Sequence, residues 1–225
     1  MKLLYVVLVL IYRIFPSPIF RAIHEHRIED IRSLMALPHH LRSRDRWGNL
    51  PIMSAIREGQ TEIALGMLDL GSPAAYQSKH GASPLSIAAM IGDSLIGAAL
   101  IDRGADVNEQ LTDPDGAFEK MTPLMWAVNR RQLAFAKLLL DRGADVSIVN
   151  GQKQTALMFA DDGTPECNEL LVMLLEKATD PQVLLIKDWR GRTLIDEARD
   201  RSQSSGKTEM SELITARFPS SYPRP

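Results

Sequence analysis

The 225-residue sequence has a single cysteine, Cys167. One thiol can neither close an internal disulfide nor furnish a cysteine-rich metal site, so apolar burial must stabilise the fold. Aromatic residues are sparse as well, 6% of the chain with three tryptophans, which makes the position of each tryptophan informative. Neither sign of charge dominates: 26 Lys plus Arg face 28 Asp plus Glu, a formal charge of -2. That balance supplies no general basic field for a polyanion, although a local patch is compatible with it. An apolar fraction of 45% with 24% charged residues excludes a disordered or collagen-like chain. A full membrane-spanning run is also missing, since the unbroken apolar stretch Leu3 to Tyr12 would rise only about 15 Å as a helix, roughly half a bilayer core.

That stretch suits the apolar region of a signal peptide better. Against cleavage, no small-x-small site comes promptly after it, and Lys2 is the only cationic side chain ahead of it. Continuation through Arg13 to Phe15 would instead make an uncleaved, oblique anchor, and a helix buried against the rest of the chain is the third reading. The sole cysteine lies far away, so there is no lipoprotein route.

Self-similarity organises the remainder. Pro18-Ile19, Pro51-Ile52 and Pro84-Leu85 are separated by two successive intervals of 33 residues. Thr122-Pro123-Leu124 comes 39 residues after Ser83-Pro84-Leu85, Thr155-Ala156-Leu157 comes 33 later, and Thr193-Leu194-Ile195 a further 38. The second half of the unit repeats too, because Leu100-Ile101-Asp102-Arg103-Gly104-Ala105-Asp106-Val107 returns 39 residues on as Leu139-Leu140-Asp141-Arg142-Gly143-Ala144-Asp145-Val146. Thr-Pro opens a helix, the hydroxyl capping free N–H groups and the proline fitting the first turn. Gly104 and Gly143 stand where a left-handed C-terminal cap is expected. Each unit then reads as helix, turn, helix and extended finger, stabilised by stacking on its neighbours.

These residues resemble the ankyrin repeat, whose pattern D-x-x-G-x-T-P-L-H-x-A-A is met by Asp45, Gly48, Pro51 and Ala55 and by Gly81, Pro84, Leu85, Ala88 and Ala89. Later units carry Thr122, Pro123, Leu124 and Ala127, then Thr155, Leu157 and Ala160, then Asp188, Gly191, Thr193 and Ala198. The resemblance covers residues 16–218 as about six repeats, with an apolar segment 1–15 before them and a tail 219–225 after them. It implies an all-α solenoid of helix-turn-helix units with finger loops.

Departures from the pattern mark irregular places. Met53, Ser86, Met125, Met158 and Asp196 stand where the repeat usually has histidine, so the usual hydrogen bonding across the turns is absent or rebuilt. An insertion, Glu109 to Phe118, contains the turn-forming Thr112-Asp113-Pro114-Asp115-Gly116 and lengthens one finger, either for partner contact or as a tolerated surface insertion. In the fifth unit Asp161 to Glu166 forms an acidic turn, and Arg201 to Lys207 reads as a polar link between the last two helices. Methionines 53, 67, 125, 158 and 173 fall at buried helical spacing, as does Trp126.

No catalytic set emerges. Histidines 24, 26, 39, 40 and 80 make no nucleophile and base pairing with Cys167, and His39-His40 reads as a loop after Pro38. Gly206-Lys207-Thr208 lacks the earlier glycine and preceding strand of a phosphate-binding loop. The expected protein is therefore not an enzyme and takes no metal or cofactor. A thiol-dependent enzyme using Cys167 and the acidic turn is the less favoured alternative.

Binding remains, and a helical stack with protruding fingers binds through its concave side, made of finger tips and first-helix ends. The register places tips at Arg46-Trp47, Lys79-His80, Gln152-Lys153 and Trp189-Arg190. It places first-helix ends at Arg57-Glu58, Met90-Ile91, Asn129-Arg130 and Asp161-Asp162. Two of the three tryptophans fall at tips, and Trp and Arg dominate interface hot spots; the alternative is that both rings fold back on a neighbouring finger. The expected function is recognition of one protein partner by a chain that is monomeric when unbound, with no nucleic acid and with any membrane contact through residues 3–15. In a bacterial source the apolar start favours a periplasmic or inner-membrane-associated protector, on the analogy of an immunity protein for a secreted toxin. The alternative is a cytoplasmic scaffold or regulatory subunit.

Overall fold

A computed structural model describes residues 17–110, 120–160, 165–205 and 208–219. The apolar segment 1–15, the turn within the 109–118 insertion, Asp161-Asp162 and the tail beyond residue 219 lie outside the described residues. The helices come in pairs: α1 Pro18–His24 with α2 Ile28–Met35, α4 Pro51–Arg57 with α5 Thr61–Asp69, and α6 Pro84–Ile91 with α7 Ser94–Asp102. Further along are α8 Pro123–Asn129 with α9 Leu133–Asp141, α10 Ala156–Phe159 with α11 Pro165–Lys177, and α12 Leu194–Ser205 with α13 Glu209–Arg217. A short α3, Pro38–Leu41, and a 3-10 turn, Pro181–Leu185, complete the set, and no strand occurs among the described residues.

Two compact units are formed, one from 17–88 with 95–106 and the other from 89–94 with the described part of 107–219. In the first, α1 packs on α2 and α4, and α4 on α5. Ile19, Ala22 and Ile23 of α1 and Ile52, Met53, Ala55 and Ile56 of α4 are fully or almost fully buried, the spacing of one helical face. In the second, α8 packs on α9 and α10, α9 on α11, and α11 and α12 on α13. Trp126 is buried in α8 as its register position requires, and Phe135 and Leu139 of α9 are completely enclosed. Met53, Met67, Met125 and Met158 are buried, but Met173 is only half-buried.

Each helix ends as its residues dictate. After Leu100 and Leu139 the chain enters the left-handed region at Gly104 (φ 90°) and Gly143 (φ 87°), and the next amide donates back to Leu100 O at 3.0 Å and Leu139 O at 2.9 Å. This is the six-to-one bond of a glycine C-cap. The first helices start with hydrogen bonding rebuilt inside the turn. Ser83 N donates to Ser86 Oγ at 3.0 Å while Ser86 N donates to Ser83 Oγ at 2.9 Å. Thr193 N donates to Asp196 Oδ2 at 2.9 Å and Asp196 N to Thr193 Oγ1 at 3.1 Å, a capping box. Thr122 caps Met125 N at 3.2 Å without a return bond. Thr155 has a buried hydroxyl with no partner among the described residues, and the helix it precedes is only four residues long.

The amide and then the hydroxyl of Thr193 hold the Asp196 carboxyl below its ordinary 3.8, with Arg199 and Lys187 adding to the effect. Its contribution to stability is therefore complete above the unfolded value and is lost as pH falls through the folded one. Asp196→Ala is expected to cost about 1 kcal/mol at neutral pH. Urea midpoints measured from pH 7 down to the acid limb check this, because Asp196→Asn should flatten that limb.

Two local expectations fail. Residues 201–205 continue α12 rather than linking two helices, since Arg, Ser and Gln weaken a helix too little to stop it. His39 and His40 sit in α3, not in a loop, with ring centroids 4.1 Å apart.

Candidate binding surface

Five-residue fingers precede the first helices, and their geometry arises from one polar side chain. In 45–49, 150–154 and 188–192 the first residue's N–H donates to the fifth residue's carbonyl at 3.1, 2.9 and 2.9 Å. Its side-chain oxygen then accepts two finger amides: Asp45 from Trp47 and Asn49, Asn150 from Gln152 and Gln154, and Asp188 from Arg190 and Arg192, all at 2.8–2.9 Å. Such Asx turns fix the finger and turn the side-chain oxygen inward. In 78–82 Ser78 Oγ takes one such bond, from Ala82 N at 3.1 Å.

The fourth finger residue must adopt positive φ, as Gly48 (81°), Gly81 (77°) and Gly191 (77°) do. Lys153 takes that place at 59°, and Lys120 is equivalent at 62°. The tip of the 150–154 finger is consequently Gly151-Gln152, one residue earlier than the sequence register suggested. Lys153→Gly removes an L-residue from left-handed backbone and is expected to stabilise by about 1 kcal/mol, read as a raised melting temperature.

The other predicted residues lie at the surface to different degrees. Arg46 and Trp47 form the tip of the first finger, Trp47 being 46% exposed with the Arg46 guanidinium 3.8 Å from its ring centroid. Lys79 and His80 form the adjacent tip, both exposed. A Cβ on Gly48 would lie 3.2 Å from Lys79 N, so the two fingers run in direct contact. Arg57 ends α4 and Glu58 caps it, 3.5 Å from His24 Nδ1. In the other unit Trp189 is 60% exposed beneath Arg190, 4.7 Å from the ring centroid, and its N–H donates to Gln152 O at 3.0 Å. Asn129 and Arg130 end α8, both exposed, while Met90 is half-buried and Ile91 39% exposed in the last turn of α6. Each tip tryptophan thus stacks with the arginine of its own finger. They are not equivalent: Trp47 is the second tip residue and Trp189 the first.

Two residues escaped the sequence reading. Tyr76 donates from its hydroxyl to Gly48 O at 2.5 Å, and Arg44 lies 5.5 Å from the Tyr76 ring centroid. The signal for Arg44 was its place among closely spaced arginines, Arg42, Arg44 and Arg46, with one carboxylate between them. Cys167, in the first turn of α11, is 2% exposed and offers a substrate no open approach. Among the described residues no three His, Cys, Asp or Glu side chains are grouped to hold a metal.

A family model described as Ankyrin repeats (3 copies) matches residues 85–184. Two crystal structures, of an ankyrin repeat protein and of an ankyrin repeat domain from Acinetobacter baumannii AYE, superpose with TM-scores of 0.75 at 24% identity, covering 88% and 89% of this chain and 96% and 97% of theirs. Residues 85–184 are ankyrin repeats, and the chain has the ankyrin-repeat fold. Its paired helices are ankyrin units, and the fold class is all-α. Among curated proteins it is 32% identical to Dauer abnormal formation protein 25 of Caenorhabditis elegans over 139 residues, and 36% identical to a putative ankyrin repeat-containing protein of Treponema pallidum (strain Nichols) over 108. These matches take in 59% and 48% of this chain but only 34% and 35% of the relatives. The chain therefore spans about a third of the length of these two relatives. Ankyrin repeats generally serve protein–protein interaction and carry no chemistry of their own.

Proposed function

We propose that this chain of ankyrin-repeat fold is a non-catalytic binding protein that holds one protein partner on its finger tips and first-helix ends. The observation that carries the reading is the pair of exposed tip tryptophans, each stacked with an arginine, in a chain that buries its third tryptophan. Large aromatic surface left in water at a loop tip is surface available for a partner. The apolar run Leu3–Tyr12 supports an exported or membrane-attached form of this binding protein, such as a protector of a co-expressed partner. Fractionation of cells making the full chain or a chain starting at Ser17 tests that part. No helix among the described residues is long and apolar enough to cross a membrane.

Amide hydrogen exchange on the complex with a purified partner tests the surface. Protection is expected at 45–49, 78–82 and 188–192. Protection confined to the outward sides of α5, α9 and α11 would rule the assignment out.

A further inference from the structure

The net charge of -2 conceals a cationic face on the first two fingers. Over residues 42–50 and 76–82 the chain carries Arg42, Arg44, Arg46 and Lys79 against a single carboxylate, Asp45. That carboxylate is turned inward: Oδ1 accepts the amides of Trp47 and Asn49, and Oδ2 accepts Asn49 Nδ2 at 2.9 Å. Arg42, Arg44 and Arg46 are all exposed, whereas Ser43 and Asp45 between them are half-buried.

Other cations of the same unit are paired with carboxylates. Arg103 reaches Asp69 at 2.6 Å and Arg32 reaches Glu29 at 3.3 Å. Arg44, Arg46 and Lys79 have no carboxylate partner among the described residues. Two of them lie instead against aromatic rings, Arg44 on Tyr76 and Arg46 on Trp47. A guanidinium on a ring face keeps its outward N–H donors and its charge, and the ring fixes where they point. Contact between the fingers through Gly48 and the Tyr76 hydroxyl bond to Gly48 O hold the group together.

We propose that the partner segment received by these two fingers is an acidic peptide stretch, its carboxylates paired by Arg44, Arg46 and Lys79 and its apolar contact made by Trp47. This rests on the finger face being the binding surface. An acidic chain matches neighbouring exposed cations that have no carboxylates of their own. Charge of this kind governs encounter and specificity, and screening weakens it. Nucleic acid would also meet the charge, but the patch exposes one large aromatic ring, Trp47, rather than the series of stacking platforms that single strands use.

The test titrates the full chain with a fluorescein-labelled peptide of repeated Glu-Asp-Gly, its Gln-Asn-Gly counterpart, and labelled oligothymidylate, read by anisotropy. The acidic peptide is expected to bind at least about tenfold tighter than the neutral one and to weaken as salt rises. Arg46→Glu and Lys79→Glu should each weaken it about tenfold, whereas Lys137→Glu, on the exposed side of α9, should leave it unchanged. Equal binding of the two peptides, equal loss in Lys137→Glu, or tighter binding of oligothymidylate would overturn the proposal. If the acidic preference fails while a purified partner still protects 45–49 and 78–82 from exchange, the charge assignment falls and the finger face stands.

Discussion

Phe135→Ala is expected to cost about 3–5 kcal/mol, the largest effect of any substitution considered. Phe135 is completely buried in α9, which packs on α8 and α11, so truncation opens a cavity between helices of successive repeats. Alanine keeps the helix, because its propensity exceeds that of phenylalanine, and the loss is one of packing alone. In a stack stabilised by neighbour interfaces, such a cavity weakens two interfaces at once. Urea denaturation monitored by far-ultraviolet circular dichroism should show a lower midpoint and, where the repeats around α9 melt ahead of the others, a broader transition. A midpoint shift equivalent to less than about 1 kcal/mol would mean that the neighbouring Leu139 and Ala136 collapse into the space.

How much of this was legible beforehand depended on whether a residue type announces its backbone. Prolines 51, 84 and 123 and glycines 104 and 143 fix φ or supply it cheaply, and the helix starts and caps they implied are found. Lys153 announces nothing. Its positive φ is held by Asn150 and the finger hydrogen bonds, so the tip was misread by one residue where the glycine is missing. The extension of α12 over Arg201 to Ser205 was missed for the converse reason, since polar residues that favour loops are also tolerated in a helix. Asp45 shows why charge counting fell short at the site: a carboxylate cancels an arginine in the sum, yet here it faces the amides of its own finger. The first finger's cations became visible only once the direction of that side chain was known.

Trp47→Ala and Trp189→Ala are expected to separate binding from folding. Each ring is at least 46% exposed and touches the arginine of its own finger, so truncation should change stability by no more than about 0.5 kcal/mol. If the fingers carry the partner, each substitution removes an anchor and leaves its arginine without the ring that orients it. A loss of about 2 kcal/mol per ring, roughly thirtyfold in Kd, is expected, and more for the double variant. Trp→Phe at the same positions should recover part of the affinity, because the ring face is kept and only the larger indole surface is lost. Calorimetric titration of a purified partner against the wild type, both single variants and the double variant measures this directly. Binding of the double variant at wild-type affinity would sink the finger assignment, and a fall in affinity that merely tracked a fall in melting temperature would do the same. Phe135→Ala supplies the opposite pole of that comparison: a destabilised chain whose folded fraction should still bind through intact fingers.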